Sequence, residues 1–475
     1  MRLPRHPLRT LALALATTTL GACSMIPTFE RPAAPVPASF PQSAAVDAGP
    51  ANAAQAPADT IVWRDYFVDA RLREVIALAL ENNRDLRIAA LNIERARAQY
   101  GIQRADLFPS ISAGGGQSAQ RVPGDLSPTG DSGVNRQYSA NLGFASYELD
   151  FFGRVRSLEQ QALQTYLGTE EARRSAQISL VAEVANNWLR VAATRERLAL
   201  ARSTFDTRKE SLDLTQRSFD AGAVSALDLH QAETLLQTAR ADAARYVAML
   251  AQDENALALV VGAGVPAELR AENLNEALVS VVELPPGVPS EVLTRRPDVV
   301  QAEYALRAAN ANIGAARAAF FPSITLTANV GSASASLGGL FDGGSGAWSF
   351  IPQIRLPIFE AGRLQASLDV AEIQRDINVA QYEKTIQSAF REVADALAER
   401  ATLGEQLDAQ RKLVEAAKKS FELSEARYEA GVDSYLGLLD AQRSLYVSEQ
   451  ALIVARLTDA SNRVALYKVL GGGWQ

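Results

Sequence analysis

Residues 321–330 read FPSITLTANV, and this stretch decides the fold. After Phe-Pro, the apolar residues Ile324, Leu326, Ala328 and Val330 alternate with small polar residues. A period of two gives a β-strand one apolar face and one polar face. Segments of about ten residues with this pattern are typical of strands in outer-membrane barrels. Hairpins that cap a soluble rod are the alternative interpretation.

The stretch occurs twice. Residues 108–111 read FPSI, 213 residues before the second copy, and an ungapped match extends upstream to Asp85 and Asp298. Farther along, residues 219–222 (FDAG) match residues 428–431 (YEAG) at an offset of 209. The chain therefore contains two internal repeats. Each is predicted to run helix, strand, glycine-rich loop, strand, very long helix, tight turn and returning helix.

Each repeat carries a second alternating stretch, which predicts one β-hairpin per repeat. Four strands in one chain cannot close a barrel, and a sheet edge exposed to lipid leaves backbone N–H and C=O groups unpaired at several kcal/mol each. The hairpins therefore predict that copies of the chain share one barrel. Two copies would give eight strands and a filled interior, whereas three would give twelve strands and a lumen.

The helices keep a seven-residue apolar repeat. Every seventh residue is apolar over 184–219 and again over 379–428, where Arg400 is the single exception. The returning helices follow the same period, with an interruption at Asp459. A sustained period of 3.5 residues predicts left-handed coiled-coil packing. On the helices alone, a soluble antiparallel rod is an equal alternative.

The N-terminal segment has the features of an export signal. Residues 1–22 combine three arginines, a Leu/Ala-rich stretch too short to span a bilayer permanently, and small residues before Cys23. Residues 20–23 (LGAC) resemble the bacterial lipobox, which implies lipidation of Cys23, and Ser24 implies sorting to the outer membrane. Residues 23–60 are Pro/Ala-rich and are predicted to form an extended tether.

Composition argues against catalysis. Among 475 residues with a net charge of −7, the chain has one cysteine and two histidines, His6 and His230. This inventory excludes disulfides, Cys/His zinc sites and a Cys/His dyad. The acidic balance argues against a nucleic-acid partner. We expect no enzyme activity, and no cofactor except the covalent lipid on Cys23.

Three strings carry a resemblance to a known family. Residues 427–436 (RYEAGVDSYL), 439–445 (LDAQRSL) and 466–474 (LYKVLGGGW) resemble the outer-membrane factor lipoproteins of tripartite (RND-type) efflux systems, the TolC/OprM/NodT family. The resemblance covers the whole mature chain. It implies a mostly α fold with membrane β structure. The implied assembly is a homotrimer in which a 12-stranded transmembrane β-barrel, four strands per chain, continues into a long coiled-coil periplasmic α-barrel.

The implied division of the chain follows the two repeats. The segments are a signal peptide (1–22), a lipidated tether (23–60), a first repeat (61–262, hairpin about 110–149, tip near 222), a linker (263–297) and a second repeat (298–475, hairpin about 323–358, tip near 431).

Carried over residue by residue, the resemblance implies a periplasmic gate. Leu436 would form an apolar constriction, Asp440 an acidic ring, Arg443 its pairing partner one helical turn on, and Tyr428 part of the ties that hold the gate shut. TolC has an aspartate where this chain has Gly437. A solvated helix carboxylate is the alternative interpretation of the acidic residue.

The two Ala-Gly turns would be the periplasmic tips of the helical hairpins. Gly222 and Gly431 mark these tips, and Ser225 and Ser434 follow them as candidate contacts for a periplasmic adaptor protein. The implied partners are a homotrimer, that adaptor and an inner-membrane efflux pump, with no nucleic acid.

The implied function is a passive exit duct for small molecules and drugs in the outer membrane of a Gram-negative envelope, lipid-anchored and extending into the periplasm. Two alternatives remain at this point. One is an outer-membrane duct for type I protein secretion, and the other is a lipid-anchored coiled-coil envelope protein without a pore.

Overall fold

The computed structural model describes residues 24–40, 61–128, 130–274 and 290–474. Cys23, the signal peptide and parts of the tether and the linker lie outside these residues. The helices are α1 Trp63–Tyr66, α2 Ala70–Asn82, α3 Arg84–Ala105, α4 Arg154–Asp220, α5 Ala226–Val261, α6 Pro297–Ala318, α7 Arg363–Glu429 and α8 Tyr435–Val469. The strands are β1 Ser112–Val122, β2 Gly133–Leu149, β3 Ser323–Ser334 and β4 Gly346–Arg355. Among these helices, none combines the length and apolar character needed to cross a membrane.

The four strands form one antiparallel sheet in the order β1-β2-β3-β4. The central pair joins the two repeats, since β2 belongs to the first and β3 to the second, with Leu142 opposite Val330. Two glycines permit this pairing. A Cβ atom on Gly143 would lie 2.1 Å from the carbonyl oxygen of Ala328, and one on Gly331 would lie 2.0 Å from that of Ala140. Larger residues would separate the central strands.

The alternation predicted from the sequence divides the sheet into two faces. One row across it consists of Ala113, Leu142, Val330 and Trp348. The Trp348 side chain is 78% exposed and Val330 61%. The opposite face carries small polar residues such as Asn329, which is paired with Ser349. A mostly helical chain with a four-stranded sheet, apolar on one face, is therefore confirmed.

The chain forms two compact units, each built from both repeats. The first contains residues 92–169 and 301–382 together with the described N-terminal residues up to Ala33, and the second contains residues 34–91, 170–300 and 383–475. The whole sheet belongs to the first unit. The turns between the long helices belong to the second.

In the first unit, residues 24–33 dock on α6. The amide of Asn310 donates a hydrogen bond to the carbonyl oxygen of Pro27 (2.8 Å), and the guanidinium of Arg307 lies 4.6 Å from the ring centre of Phe29. Gly314 makes room for Ile26, because a Cβ atom at this glycine would lie 2.6 Å from the isoleucine side chain. The start of the tether is therefore held against a helix.

In the second unit, the main apolar core surrounds α2, α4 and the end of α8. Trp188 is fully buried there, and Tyr66 stacks on Tyr467 with ring centres 3.9 Å apart. The Tyr467 hydroxyl donates to the carbonyl oxygen of Ile61 (2.6 Å). Buried Arg296 donates to the carbonyl oxygen of Val469 (2.8 Å), which satisfies a carbonyl at the end of α8.

The two residues that interrupt the apolar heptads contact each other. Arg400 on α7 lies 2.5 Å from Asp459 on α8, and Arg463 approaches the same carboxylate at 2.8 Å. Asp459 is only 6% exposed. A buried carboxylate is tolerated only when it is paired. The interruptions are therefore one ion pair between the two helices of a hairpin.

Breaking this pair should destabilise the hairpin. We expect Asp459→Ala to lower the free energy of unfolding by about 3 kcal/mol, since it leaves arginine charge without a partner in a buried setting. The triple variant Arg400→Leu, Asp459→Leu and Arg463→Leu removes both guanidinium groups together with the carboxylate and should stay within about 1 kcal/mol of the wild type. Urea unfolding in detergent, followed by helical circular dichroism, measures both. Equal losses in the two variants would contradict a specific ion-pair role.

Candidate gate at the tips of the helical hairpins

The turns after α4 and α7 have the same backbone geometry. Gly222 and Gly431 adopt φ values of +75° and +72°, a region that favours glycine. The next N–H reaches back to the last helical turn in both cases, from Ala223 to the Ser218 carbonyl (2.8 Å) and from Val432 to the Arg427 carbonyl (2.9 Å). This is the Schellman arrangement, which ends each long helix at its glycine.

The helices that follow these turns begin differently. Ser225 caps α5 in a capping box: its hydroxyl accepts from the Asp228 N–H (3.2 Å), and its own N–H donates to the Asp228 carboxylate (3.0 Å). Ser434 precedes α8 but makes no side-chain cap. Instead, Asp433 pairs with Arg427 at 2.6 Å, and the hydrogen bond from this guanidinium holds the pKa of the carboxyl below its ordinary value.

A small apolar cluster joins both hairpins near their tips, and we call it the tip cluster. Its members come from α4, α5, α7 and α8: Leu212, Ala232, Leu235, Phe421, Tyr428, Tyr435, Leu438 and Leu439. Tyr435, Leu438 and Leu439 are each 7% exposed. The start of α8 is therefore anchored through one face, and a neighbouring face is left outward.

This outward face carries three of the residues assigned to a gate from the sequence. Leu436, Asp440 and Arg443 are spaced four and three residues apart, so they share one side of α8. We call these three residues the gate face. Leu436 is 60% exposed, and the side chains of Asp440 and Arg443, which form an ion pair, are 63% and 64% exposed. Within the described residues, the three side chains of the gate face are therefore largely exposed.

Tyr428 lies elsewhere, in the tip cluster. Its ring centre is 5.2 Å from that of Tyr435, with the rings tilted by 45°. Burial, and to a smaller degree the negative charge of Asp228, raise the pKa of the Tyr428 hydroxyl above its ordinary value. Tyr428 therefore stays protonated inside the cluster.

With this geometry in place, comparison with known proteins identifies the family. A family model described as outer membrane efflux protein matches residues 75–263 and 288–472. The chain belongs to this family. The assignment from the strings around residues 427–474 is thereby confirmed.

Individual proteins agree with the family assignment. Two relatives from Pseudomonas putida, the toluene efflux pump outer membrane protein TtgC and the antibiotic efflux pump outer membrane protein ArpC, are each 54% identical over 464 residues, covering 98% of this chain and 95% of the relative. The solved open state of the Neisseria gonorrhoeae MtrE outer membrane channel is 41% identical, with a TM-score of 0.83 over 95% of this chain and 99% of that one. The fold, the efflux function and the outer-membrane location expected from the sequence are confirmed.

The structure of this efflux protein also contains a polar network that sequence reasoning missed. Arg208 on α4 is 5% exposed and donates to the carbonyl oxygen of Leu235 on α5 (2.8 Å). Its guanidinium lies 5.3 Å from the ring centre of Tyr446 on α8, whose hydroxyl donates to Asp242 (3.1 Å). Burial lowers the pKa of Arg208. The network ties the helix that bears the gate face to the first hairpin.

A second heptad position could have revealed this network. Three residues after each apolar heptad position on α4 comes a small or polar residue: Asn187, Thr194, Ala201, Arg208 and Thr215. All five are buried, at 8%, 3%, 0%, 5% and 5% exposure. Polar residues repeated at a coiled-coil core position indicate specific partners rather than a uniform apolar seam.

The different caps give a matched pair of variants. We expect Ser225→Ala to destabilise the first turn of α5 by about 1 kcal/mol, because it removes a cap hydrogen bond. Ser434→Ala should have a smaller effect on α8, since this serine makes no side-chain cap. Hydrogen exchange of the amides in the two first turns measures the difference, and an equal acceleration at both turns would contradict it.

Proposed function

We propose that three copies of this chain form the exit duct of a tripartite efflux pump. The duct conducts small organic molecules passively from an inner-membrane transporter, through a periplasmic adaptor, to the outside. The observation that carries the proposal is the sheet: four strands, an exposed apolar face and two outer strands, β1 and β4, that each have one neighbour.

Closure of the sheet supports an oligomer. Along β1 and β4, one edge has no partner in the part of the chain that the structure describes. In lipid these edges must pair, because no water is available to satisfy the backbone. Pairing of β4 of one copy with β1 of the next closes a ring, and three copies give twelve strands around a lumen lined by the small polar face.

The class of transported molecule is inferred from the names of the relatives and from the polar face of the sheet. The relatives are named for toluene and antibiotic efflux. Asn329 and Ser349 lie on the face that would line the lumen, and they offer a polar surface to molecules that pass. We therefore assign small organic molecules to the duct, and energy for transport to the inner-membrane partner.

The gate face suits closure at the periplasmic end. Three copies of α8 around an axis would bring three carboxylates of Asp440 together, where they attract cations and repel one another. Each carboxylate already has Arg443 as a partner on its own helix. Leu436, one turn nearer the tip, would add an apolar constriction, and Tyr428 would act from the tip cluster by holding α7 against α5.

The hairpin tips suit the adaptor. Gly222 and Gly431 make compact turns, and Ser225 and Ser434 lie beside them; Ser434 has a hydroxyl that caps no helix. Helical hairpins with exposed flanks bind partner helices in grooves. We assign these two turns to contact with a periplasmic adaptor.

The N-terminal segment suits a lipid anchor. Ile26 packs against Gly314 on α6, and α6 ends at Ala318, just before β3 begins at Ser323. Cys23 precedes Ile26 by three residues. A lipid on Cys23 would thus emerge beside the base of the sheet, where a membrane would lie.

Mass spectrometry tests the anchor. We expect the mature protein to begin at Cys23 and to carry two or three acyl chains, because one chain gives only marginal binding. Cys23→Ala should lose this mass, because the variant has no thiol to acylate. An unmodified thiol at the mature N-terminus would rule out the anchor.

Single-channel recording tests the duct and its gate together. The purified protein should have the mass of three chains and conduct ions in planar bilayers. The double variant Asp440→Ala with Arg443→Ala should raise the conductance roughly twofold or more, because charged rings at a constriction control permeation. A strain that lacks the protein should also become sensitive to toluene and antibiotics.

The matched control is the other ion pair near the tip. Arg427→Ala with Asp433→Ala removes equivalent charges outside the gate face and should leave the conductance unchanged. An unaltered conductance in the Asp440/Arg443 variant would show that these residues do not form the gate. A wild-type protein that does not conduct ions would refute the proposal that the protein is a duct.

A further inference from the structure

The apolar face of the sheet changes character toward its hairpin loops. On β1 and β2 the register places Gln117 opposite Tyr138, Ala119 opposite Arg136 and Arg121 opposite Val134. Counting in steps of two from Leu142, these residues all lie on the apolar face. Two arginines therefore occupy the face that turns toward lipid, at the end of the strands farthest from the helices.

Arg121 and Arg136 are diagonal neighbours on adjacent antiparallel strands. Such positions bring long side chains within reach of the same small group. Both residues are exposed. Within residues 24–40, 61–128, 130–274 and 290–474, neither side chain has a hydrogen bond or an ion pair, although Asp125 and Asp131 lie in the adjoining loop. The pair is thus two uncompensated positive charges on a membrane-facing surface.

The position fits the polar boundary of a bilayer. Arginine on the lipid face of a barrel is costly at the midplane and nearly free at the interface. Tyr138, two residues nearer the middle of β2, has the amphipathic side chain that is typical of that boundary. Toward the middle of the sheet the same face becomes apolar, with Leu142 52% exposed.

We propose that Arg121 and Arg136 bind a phosphate group of a phosphorylated glycolipid in the outer leaflet, an inference that rests on the membrane orientation of the proposed function. Two guanidinium groups offer paired donors with the geometry that phosphate accepts. Nearer the middle of the sheet, the same face continues through Ala140 to Leu142, which is 52% exposed and offers an apolar surface for acyl chains. Charge at one end and apolar surface at the other match a lipid rather than a free anion or an acidic protein.

Native mass spectrometry of the assembled protein in detergent tests this site, with bisphosphorylated lipid A as the probe. Arg121→Gln with Arg136→Gln should weaken binding roughly thirtyfold, from the contribution of two basic residues at an anionic surface. Arg121→Lys with Arg136→Lys should weaken it less, because the charge stays while the paired donors are lost. Arg355→Gln is the matched control, since Arg355 lies at the opposite end of the sheet on the other face and should not alter binding.

Two arms use only the wild type and do not depend on how a variant folds. Dephosphorylated lipid A should bind the wild type roughly thirtyfold more weakly than bisphosphorylated lipid A does, and inorganic phosphate should not compete at millimolar concentration. Equal binding of the two lipids, an unchanged glutamine variant, or displacement by inorganic phosphate would overturn the proposal. Conductance of the same preparations separates the two ideas, because a conducting channel without phosphate selectivity would refute the lipid site alone.

Discussion

Unpaired backbone groups along β1 and β4 are the constraint on which the rest of the structure depends. Pairing between β2 and β3, made possible by the close approach at Gly143 and Gly331, fuses the hairpins of the two repeats into one sheet. The fused sheet still has two open edges and one apolar face, a combination that neither water nor lipid satisfies in a single chain. In the proposed assembly, pairing of these edges between copies satisfies the requirement and leaves a lumen inside the ring of strands.

The long helices have similar apolar heptads, so other contacts must specify which helices pair with one another. Apolar heptads alone would allow several pairings, whereas buried polar groups must find specific partners. Arg400 with Asp459 sets the pairing of α7 with α8, and Arg208 beneath Tyr446 connects α4 with α8. These polar contacts specify the arrangement, and the apolar residues around them provide most of the burial.

At the hairpin tips, the anchored residues and the exposed residues lie on neighbouring faces of one helix. Leu438 and Leu439 hold α8 in the tip cluster, while Asp440 on the next position is left outward. Such an arrangement lets the outward side chains of several copies meet without loosening the hairpin that carries them. The first hairpin begins α5 with a full capping box and the second begins α8 without one, so the two tips differ in local stability.

The sequence by itself determined the features that depend on local periodicity: the alternating strands after residues 108 and 321, the seven-residue helical repeat, and the glycine turns at 222 and 431. The place of Leu436, Asp440 and Arg443 in a gate came from family resemblance, and their spacing indicated only a shared helix face. The tertiary structure alone decided that Arg400 meets Asp459, that Tyr66 stacks on Tyr467, and that Tyr428 packs inside the tip cluster. These contacts join residues far apart along the chain, and which helices lie side by side is a property of the packed whole that no local pattern records.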